Sequence, residues 1–335
     1  MLTTTALGRT WNFSHAIGRI AAAGDGFFGP TAVAIAPGSI VYVLNRGHAG
    51  GDIGVTSQNQ RISKVTIDEE LITELGRREF TWPVALAVDG DDRLYCSDEH
   101  LNMIAIYSPE GELVGRWGEG GSGPGQLDGP SGIAFDADQY LYVTETGSHR
   151  VQKFSRDGEY VCGWGGPGTA PGQFNRPWGL TVDGEGSVLV ADWGNDRVQK
   201  FSADGEHLMT IGRENTRMVG LLRPSDVAVD SAGDIYVVDW GNHRIRIYDP
   251  AGSPIVSLYG DAQEFSKWAK TVVESNPDVV KAYRRVEDLT PMYRFNRPTG
   301  IAIDEEDRIV VSDTNRGRLQ VYTKERDYAE AQFNL

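Results

Sequence analysis

The sequence predicts an all-β fold, a six-bladed β-propeller of four-stranded antiparallel blades with a helical insertion before the last blade. Three observations carry that expectation. The 335-residue chain holds 41 glycines, which calls for many turns. Prolines leading similar segments, Pro30, Pro83, Pro130, Pro177, Pro224 and Pro298, are spaced by 53, 47, 47, 47 and 74 residues. A repeat period of roughly 20–50 residues indicates a solenoid, a propeller or an array. Each unit also divides into four short apolar runs joined by Asp-Gly and Gly-Asn turns, the pattern of an antiparallel meander.

The unit at 174–212 shows the elements in order. Leu180-Thr-Val-Asp183 ends a first strand, and Ser187-Val-Leu-Val-Ala-Asp192 gives the second. A Trp-Gly-Asn turn leads to the alternating strand Arg197-Val-Gln-Lys-Phe201, and Asp204-Gly205 leads to a fourth strand ending at Gly212. A lone sheet of this kind would expose both faces, whereas six arranged radially bury them against one another. The expected boundaries, within one domain spanning 1–335, are 29–75, 82–118, 127–165, 174–212 and 222–260 for blades 1 to 5. Blade 6 is expected at 295–335. It has a third strand at Arg318–Tyr322 but no fourth strand ending in Ile-Gly, and that ending occurs instead at His15-Ala-Ile-Gly18. Residues 9–28 are therefore expected to close the ring by supplying the outer strand of blade 6, which removes two exposed edges.

Three segments carry a family resemblance: Thr146-Gly-Ser-His-Arg-Val-Gln-Lys-Phe154, Asp192-Trp-Gly-Asn-Asp-Arg-Val-Gln-Lys-Phe201 and Asp239-Trp-Gly-Asn-His-Arg-Ile-Arg-Ile-Tyr248. With the Gly123–Leu127 linker and its counterpart Ala170–Phe174, they resemble the NHL repeat. The resemblance runs from about residue 29 to 323. It implies the propeller fold but not one function, because a fold hosts many activities. Similar propellers include peptide-amidating lyases, lactonase-like hydrolases, strictosidine-synthase-like enzymes and protein- or RNA-binding domains.

Composition narrows the partners. With 32 basic and 47 acidic residues, the formal net charge is −15. Such a chain repels polyphosphate, so no nucleic-acid partner is expected, although Lys281, Arg284, Arg285, Arg294 and Arg297 are locally basic. No apolar run approaches the ~20 residues of a membrane span, and no membrane partner is expected. The start, Met-Leu-Thr-Thr-Thr-Ala-Leu-Gly-Arg, lacks the layout of a secretory signal, so a cytoplasmic location is expected. Cys96 and Cys162 are expected to be free and buried.

In a repeat protein, residues present in every unit hold the unit together, and departures from the repeat are candidates for function. The residue ending the second strand is Asn45, Asp98, Glu145, Asp192, Asp239 or Asp313. The simplest reading is that each accepts backbone N–H bonds in its own turn; a metal role is the alternative. Third-strand arginines and the turn histidines His149 and His243 read as structural in the same way. Five departures stand out. The first unit's turn is lengthened and carries Arg46, His48 and Asp52. The second replaces its Gly-Asn turn with Glu99-His100-Leu101-Asn102 and has Met103 in place of arginine, which implies an altered turn. Asp226 stands where units three, four and six have Gly132, Gly179 and Gly300. Trp178, Trp193 and Trp240 gather aromatic rings at adjacent turns. Residues 261–294 form an insertion that reads as two helices, with Phe265, Trp268, Ala269, Val272 and Val273 on one face and Asn276-Pro277 opening the second.

The expected site is a cleft at the channel mouth between blades 5, 6, 1 and 2, lidded by the insertion and binding a small molecule or peptide. Catalytic candidates are Asp226, His100, Glu99, His48 and Arg46. Metal candidates are Asp226, Asp98, His100 and His48, and Trp178, Trp193, Trp240 and Tyr283 would wall the pocket. The enzyme reading is a lyase or hydrolase using a divalent metal: Ca²⁺ or Mn²⁺ for oxygen ligands, Zn²⁺ if two histidines join. The alternative is a non-catalytic scaffold that binds a protein partner through the helical insertion. No nucleophile elbow, Walker loop or dinucleotide fingerprint is present.

Overall fold

Each repeat starts its innermost strand at the leading proline and works outward through three more antiparallel strands. The computed structural model describes residues 2–47, 60–212 and 220–325. Five blades are four-stranded, in chain order: Pro30–Ala36 to Leu71–Leu75, Pro83–Val88 to Leu113–Trp117, Pro130–Phe135 to Tyr160–Gly165, Pro177–Val182 to His207–Ile211, and Pro224–Val229 to Pro254–Leu258. The sixth sheet runs Pro298–Ile303, Arg308–Asp313, Arg318–Glu325, then Arg9–Ile17 and Thr3–Ala6. Thr10 to Ile17 pair antiparallel with Leu319 to Glu325, so the beginning and end of the described chain share one blade. The fifth strand was not expected. It is a hairpin extension whose two-residue loop, Leu7 at φ 50° and Gly8 at φ 73°, has the left-handed geometry of a type I′ turn.

The apolar alternation of the strands buries six clusters, each between neighbouring blades. The N-terminal strand joins the cluster between blades 5 and 6 through Trp11, which is 1% exposed and donates its indole N–H to the Tyr236 hydroxyl at 2.8 Å. Arg9 reaches Asp234 at 2.6 Å, and Lys324 bridges Asp230 and Asp234 at 2.6 and 2.8 Å.

One device recurs in every blade. The polar residue ending the second strand accepts the backbone N–H of the residue 17 positions earlier, in the linker entering its own blade. The pairs are Asn45–Phe28, Asp98–Thr81, Glu145–Asp128, Asp192–Asn175, Asp239–Leu222 and Asp313–Asn296, at 2.7–3.0 Å. In blades 3 to 6 the third-strand arginine completes it, with Arg150, Arg197, Arg244 and Arg318 each 2.7–2.9 Å from the carboxylate. These arginines also donate to linker carbonyls, as Arg197 does to Thr169, Ala170 and Gln173. Blade 2 has Met103 instead, and Asp98 compensates by accepting N–H bonds from Thr81, Trp82, His100 and Leu101. Contrary to expectation, its turn ends as in blades 3 to 5, with Asn102 left-handed at φ 52° where they have His149, Asp196 and His243; the glycine it lacks, replaced by His100, is not at a left-handed position in those blades.

The insertion forms α1 (Lys267–Glu274), α2 (Pro277–Tyr283) and the short α3 (Thr290–Tyr293). Ser266 caps α1 by accepting the Ala269 N–H, and Asn276 caps α2 ahead of Pro277. No helix is long and apolar enough to cross a membrane. None of the insertion's residues is among those lining the channel cavity. Ser266 donates to the Gly18 carbonyl at 2.8 Å, Lys267 to that of Asp68 at 2.6 Å, and Trp268 packs against Phe27 with centroids 5.9 Å apart. These contacts draw it to the rim where blade 6 meets blade 1.

Both cysteines are free, but only Cys96 is buried; Cys162, on the outermost strand of blade 3, is partly exposed. Burial pushes the Cys96 thiol well above its ordinary range. Titration of the native protein with a thiol reagent should consume one equivalent, from Cys162, and two after denaturation. Two rapid equivalents in the native state would mean that the inner face of blade 2 is open. Trp11→Ala should lower stability by about 3–5 kcal/mol in urea unfolding, the range for a large buried aromatic. An unchanged midpoint would show that the closing strand does not hold the ring.

Candidate functional site

The inner strands approach so closely at the channel that three of the six have no room for a side chain at their third position. A Cβ on Gly132 would meet the Trp178 carbonyl oxygen at 2.4 Å, and one on Gly179 would meet the Asp226 Oδ1 at 2.2 Å and the Ser225 oxygen at 2.7 Å. The equivalents in blades 1 and 2 are Ala32 and Ala85, and in blade 6 Gly300. Asp226 is thus a carboxylate set in a ring of hydrogens and methyls. Its Oδ2 accepts the Ile301 N–H of blade 6 at 3.0 Å, and its Oδ1 accepts the Val227 N–H at 3.0 Å. The carboxylate therefore ties two inner strands together and lines a channel cavity of about 440 Å³. Loss of water around it raises its pKa to about 7, against the pull of these two N–H donors.

At the mouth the lining turns cationic and aromatic. Arg46, Trp178, Trp240 and Arg297 all border the cavity. Three guanidinium groups lie over indole rings: Arg46 at 4.3 Å from Trp82, Arg223 at 4.7 Å from Trp193, and Arg297 at 5.0 Å from Trp240. Burial lowers the Arg46 pKa, opposed by the charge of Glu99. Arg176, Arg223 and Arg297 each precede the leading proline in a left-handed conformation, at φ 53°, 52° and 55°. Blades 1 and 3 place Gly29 and Gly129 there, at φ 61° and 67°. A left-handed non-glycine residue costs on the order of 1 kcal/mol, so three arginines are kept where glycine fits better. Their backbone N–H groups bond the preceding blade's turn: Arg176 to His149 Nδ1, Arg223 to Asp196 and Arg297 to His243 Nδ1, at 2.7–2.9 Å. Each histidine accepts at Nδ1, which fixes the Nε2–H tautomer and gives both a structural role. Burial and the Arg297 charge hold the His243 pKa below the usual imidazole value, with Asp313 opposing them.

The sequence-derived candidates separate into groups. Asp226, Arg46, Trp178 and Trp240 meet at the channel cavity. Trp193 stands beside it, with its ring 5.9 Å from that of Trp178. Glu99 is half-buried between blades 2 and 3 and accepts the Thr146 hydroxyl at 2.7 Å. His100 is exposed on its turn and lies outside the cavity lining. Tyr283 belongs to a second cavity beneath the insertion, with Phe265 as its neighbour at 4.9 Å. His48 and Asp52 lie outside the described residues. Sequence reasoning missed Arg223 and Arg297 as parts of the mouth. Their signal was legible as arginine before proline in units where others have glycine.

The donor set does not fit a metal centre among the described residues. No three His, Cys, Asp or Glu side chains come together there in a way that could hold a cation. Asp98 is fully buried and spends its carboxylate on four backbone N–H groups. Asp226 has backbone donors and no histidine or second carboxylate within such a group.

Four segments, 127–154, 174–201, 221–248 and 295–322, match the NHL repeat family model, one in each of blades 3 to 6. The chain therefore carries NHL repeats. No curated protein sequence matches it. Among solved structures it is similar to a protein of unknown function from Bacteroides thetaiotaomicron, with a TM-score of 0.65, 17% identity, and coverage of 95% of this chain and 76% of that one. A catalytically inactive virginiamycin B lyase from Staphylococcus aureus with quinupristin gives a TM-score of 0.57 at 13% identity, covering 93% and 99%. A chain of a nidogen–laminin complex gives 0.54 at 18%, covering 76% and 92%. These likenesses show a shared propeller fold.

The Asp226 carboxyl has a testable sign. Its folded pKa of about 7 lies above the unfolded value near 3.9. Its contribution to stability is therefore fully present below about pH 3.9 and is lost as pH rises through 7. Asp226→Asn keeps an oxygen for the Ile301 N–H but removes the charge. The variant should gain stability over the wild type as pH rises from about 4 to 7, with a constant advantage above that. A difference independent of pH in urea unfolding would show that the carboxyl is not perturbed.

Proposed function

We propose that the protein binds a small molecule or peptide bearing an anionic group at the channel mouth and exchanges a proton with it at Asp226. The observation that carries this reading is a carboxyl with a pKa of about 7 in a channel position that other blades leave to glycine or alanine. A group that titrates near neutrality can both take and return a proton under ordinary conditions. Arg46 and Arg297 border the same cavity and would hold the anionic group, with Trp178 and Trp240 beside its apolar part. A cationic mouth on a chain of net charge −15 favours anions locally, because nearby charges outweigh screened distant ones.

The reaction class this arrangement suits is a lyase-type elimination. Ionised Asp226 would take a proton from a carbon next to the bound carboxylate or carbonyl. The electron pair left behind forms a double bond as the leaving group departs from the adjacent carbon. The arginines would stabilise the negative charge that develops on the oxygen. A virginiamycin B lyase and a streptogramin B lyase among the similar folds, at 13% and 12% identity, support this class.

The test separates binding from chemistry. Arg297→Gly removes one guanidinium and relieves a left-handed backbone, so the fold should lose no more than about 1 kcal/mol. Affinity for carboxylate compounds, followed by tryptophan fluorescence, should fall by roughly tenfold or more, the effect of losing one charged hydrogen bond. Asp226→Asn should bind the same compounds but abolish their turnover. Equal affinity in wild type and Arg297→Gly would remove the mouth as the binding site.

A further inference from the structure

The rim cavity under the helical insertion is separate from the channel, and the two share only Asn315 among their lining residues. It measures about 310 Å³, a size that suits small ligands. Its floor is the end of the closing strand and the blade 6 turn. Ile17 pairs with Leu319, so Arg19 and Arg316 emerge from neighbouring strands at the same end. Its roof is the insertion, with Phe265, Ala269, Tyr283 and Tyr293 facing the space.

The arginines leave donors unused. Arg19 Nε and Arg316 Nε are both shielded from solvent and have no hydrogen-bond partner. Their hydrogen bonds go through other nitrogens, from Arg19 Nη1 to the Ile20 carbonyl and from Arg316 Nη2 to that of Pro291. A third lining arginine, Arg318, is committed to Asp313 at 2.9 Å. The single acid of the lining, Glu264, is exposed. Neither Arg19 nor Arg316 has a carboxylate partner among the described residues, so two unneutralised guanidinium groups line one cavity and favour an anion there. The opposite wall is aromatic: the Phe265 and Tyr283 rings lie 4.9 Å apart at 52°, and Phe265 is 40% exposed.

We propose that this cavity is a second binding site, for a small organic anion with an aromatic body. Its carboxylate or phosphate pairs with the guanidinium groups of Arg19 and Arg316, and its ring packs on Phe265 and Tyr283. The site is independent of the channel, so it stands or falls apart from Asp226.

Isothermal titration of the full-length Arg297→Gly variant, whose channel mouth is weakened, with benzoate and with phenyl phosphate tests it, using benzyl alcohol as the uncharged control. The expected result is one equivalent of either anion bound, with benzyl alcohol at least tenfold weaker. Arg19→Gln and Arg316→Gln should each weaken binding tenfold or more. Because Arg316 also holds the chain beside α3, Ala269→Phe provides a second route: it fills the cavity and leaves both arginines in place. It should abolish binding, with an unchanged melting temperature showing that the variant is folded. The proposal is overturned if neither anion binds, if benzyl alcohol binds equally, or if binding survives in Arg19→Gln and Ala269→Phe.

Discussion

The propeller depends on a buried polar group that is never left without partners. At the end of each second strand a carboxylate, or Asn45 in blade 1, holds the N–H of the linker 17 residues behind it. That bond fixes where each innermost strand begins and hence the width of the channel. A buried carboxylate with too few donors would cost several kcal/mol, which explains the differences among blades. Where the arginine is present, as in Asp192–Arg197, the ion pair shares the load. Where Met103 replaces it, Asp98 takes more backbone N–H groups from its turn. Six solutions to one electrostatic constraint give six blades of one shape.

The same constraint separates scaffold from site. A ring of carboxylates beside a channel looks like a metal centre until their partners are counted. Asp98, Asp192, Asp239 and Asp313 have no surface exposure and are occupied by backbone and side-chain donors. Asp226 differs in kind, because it has no arginine and faces the cavity. Its burial is compensated only in part, and the raised pKa expresses the remainder.

Much of the fold was legible because every blade solves the same local problem with the same residues. The period of 47, the turn dipeptides and the helical excess before blade 6 give six sheets and α1 and α2 in their places, but not the short α3. The position of the insertion was not legible, because it depends on contacts across the ring: Trp268 with Phe27 and Ser266 with Gly18. The expected lidded cleft therefore becomes two cavities, with Tyr283 in one and Trp178 in the other. Asp226, Arg46 and two tryptophans were found as departures from the repeat. Arg223 and Arg297 were not, although the sequence shows arginine before the leading proline where blades 1 and 3 have glycine; the left-handed backbone that makes this departure costly appears only in the structure.

The pairing that closes the ring also determines how it answers to force. Thr10 lies opposite Glu325, so once the outer hairpin strand Thr3–Ala6 is drawn off, the ends of the two closing strands lie side by side. Tension applied between those ends loads the hydrogen bonds one at a time, as in opening a zipper. Shear along the strands would load them together. The seam is therefore the weak axis of a molecule whose other blades are each joined by covalent chain. A pull from its two ends would peel Arg9–Ile17 away from blade 6 and expose the Trp11 cluster before disturbing the channel.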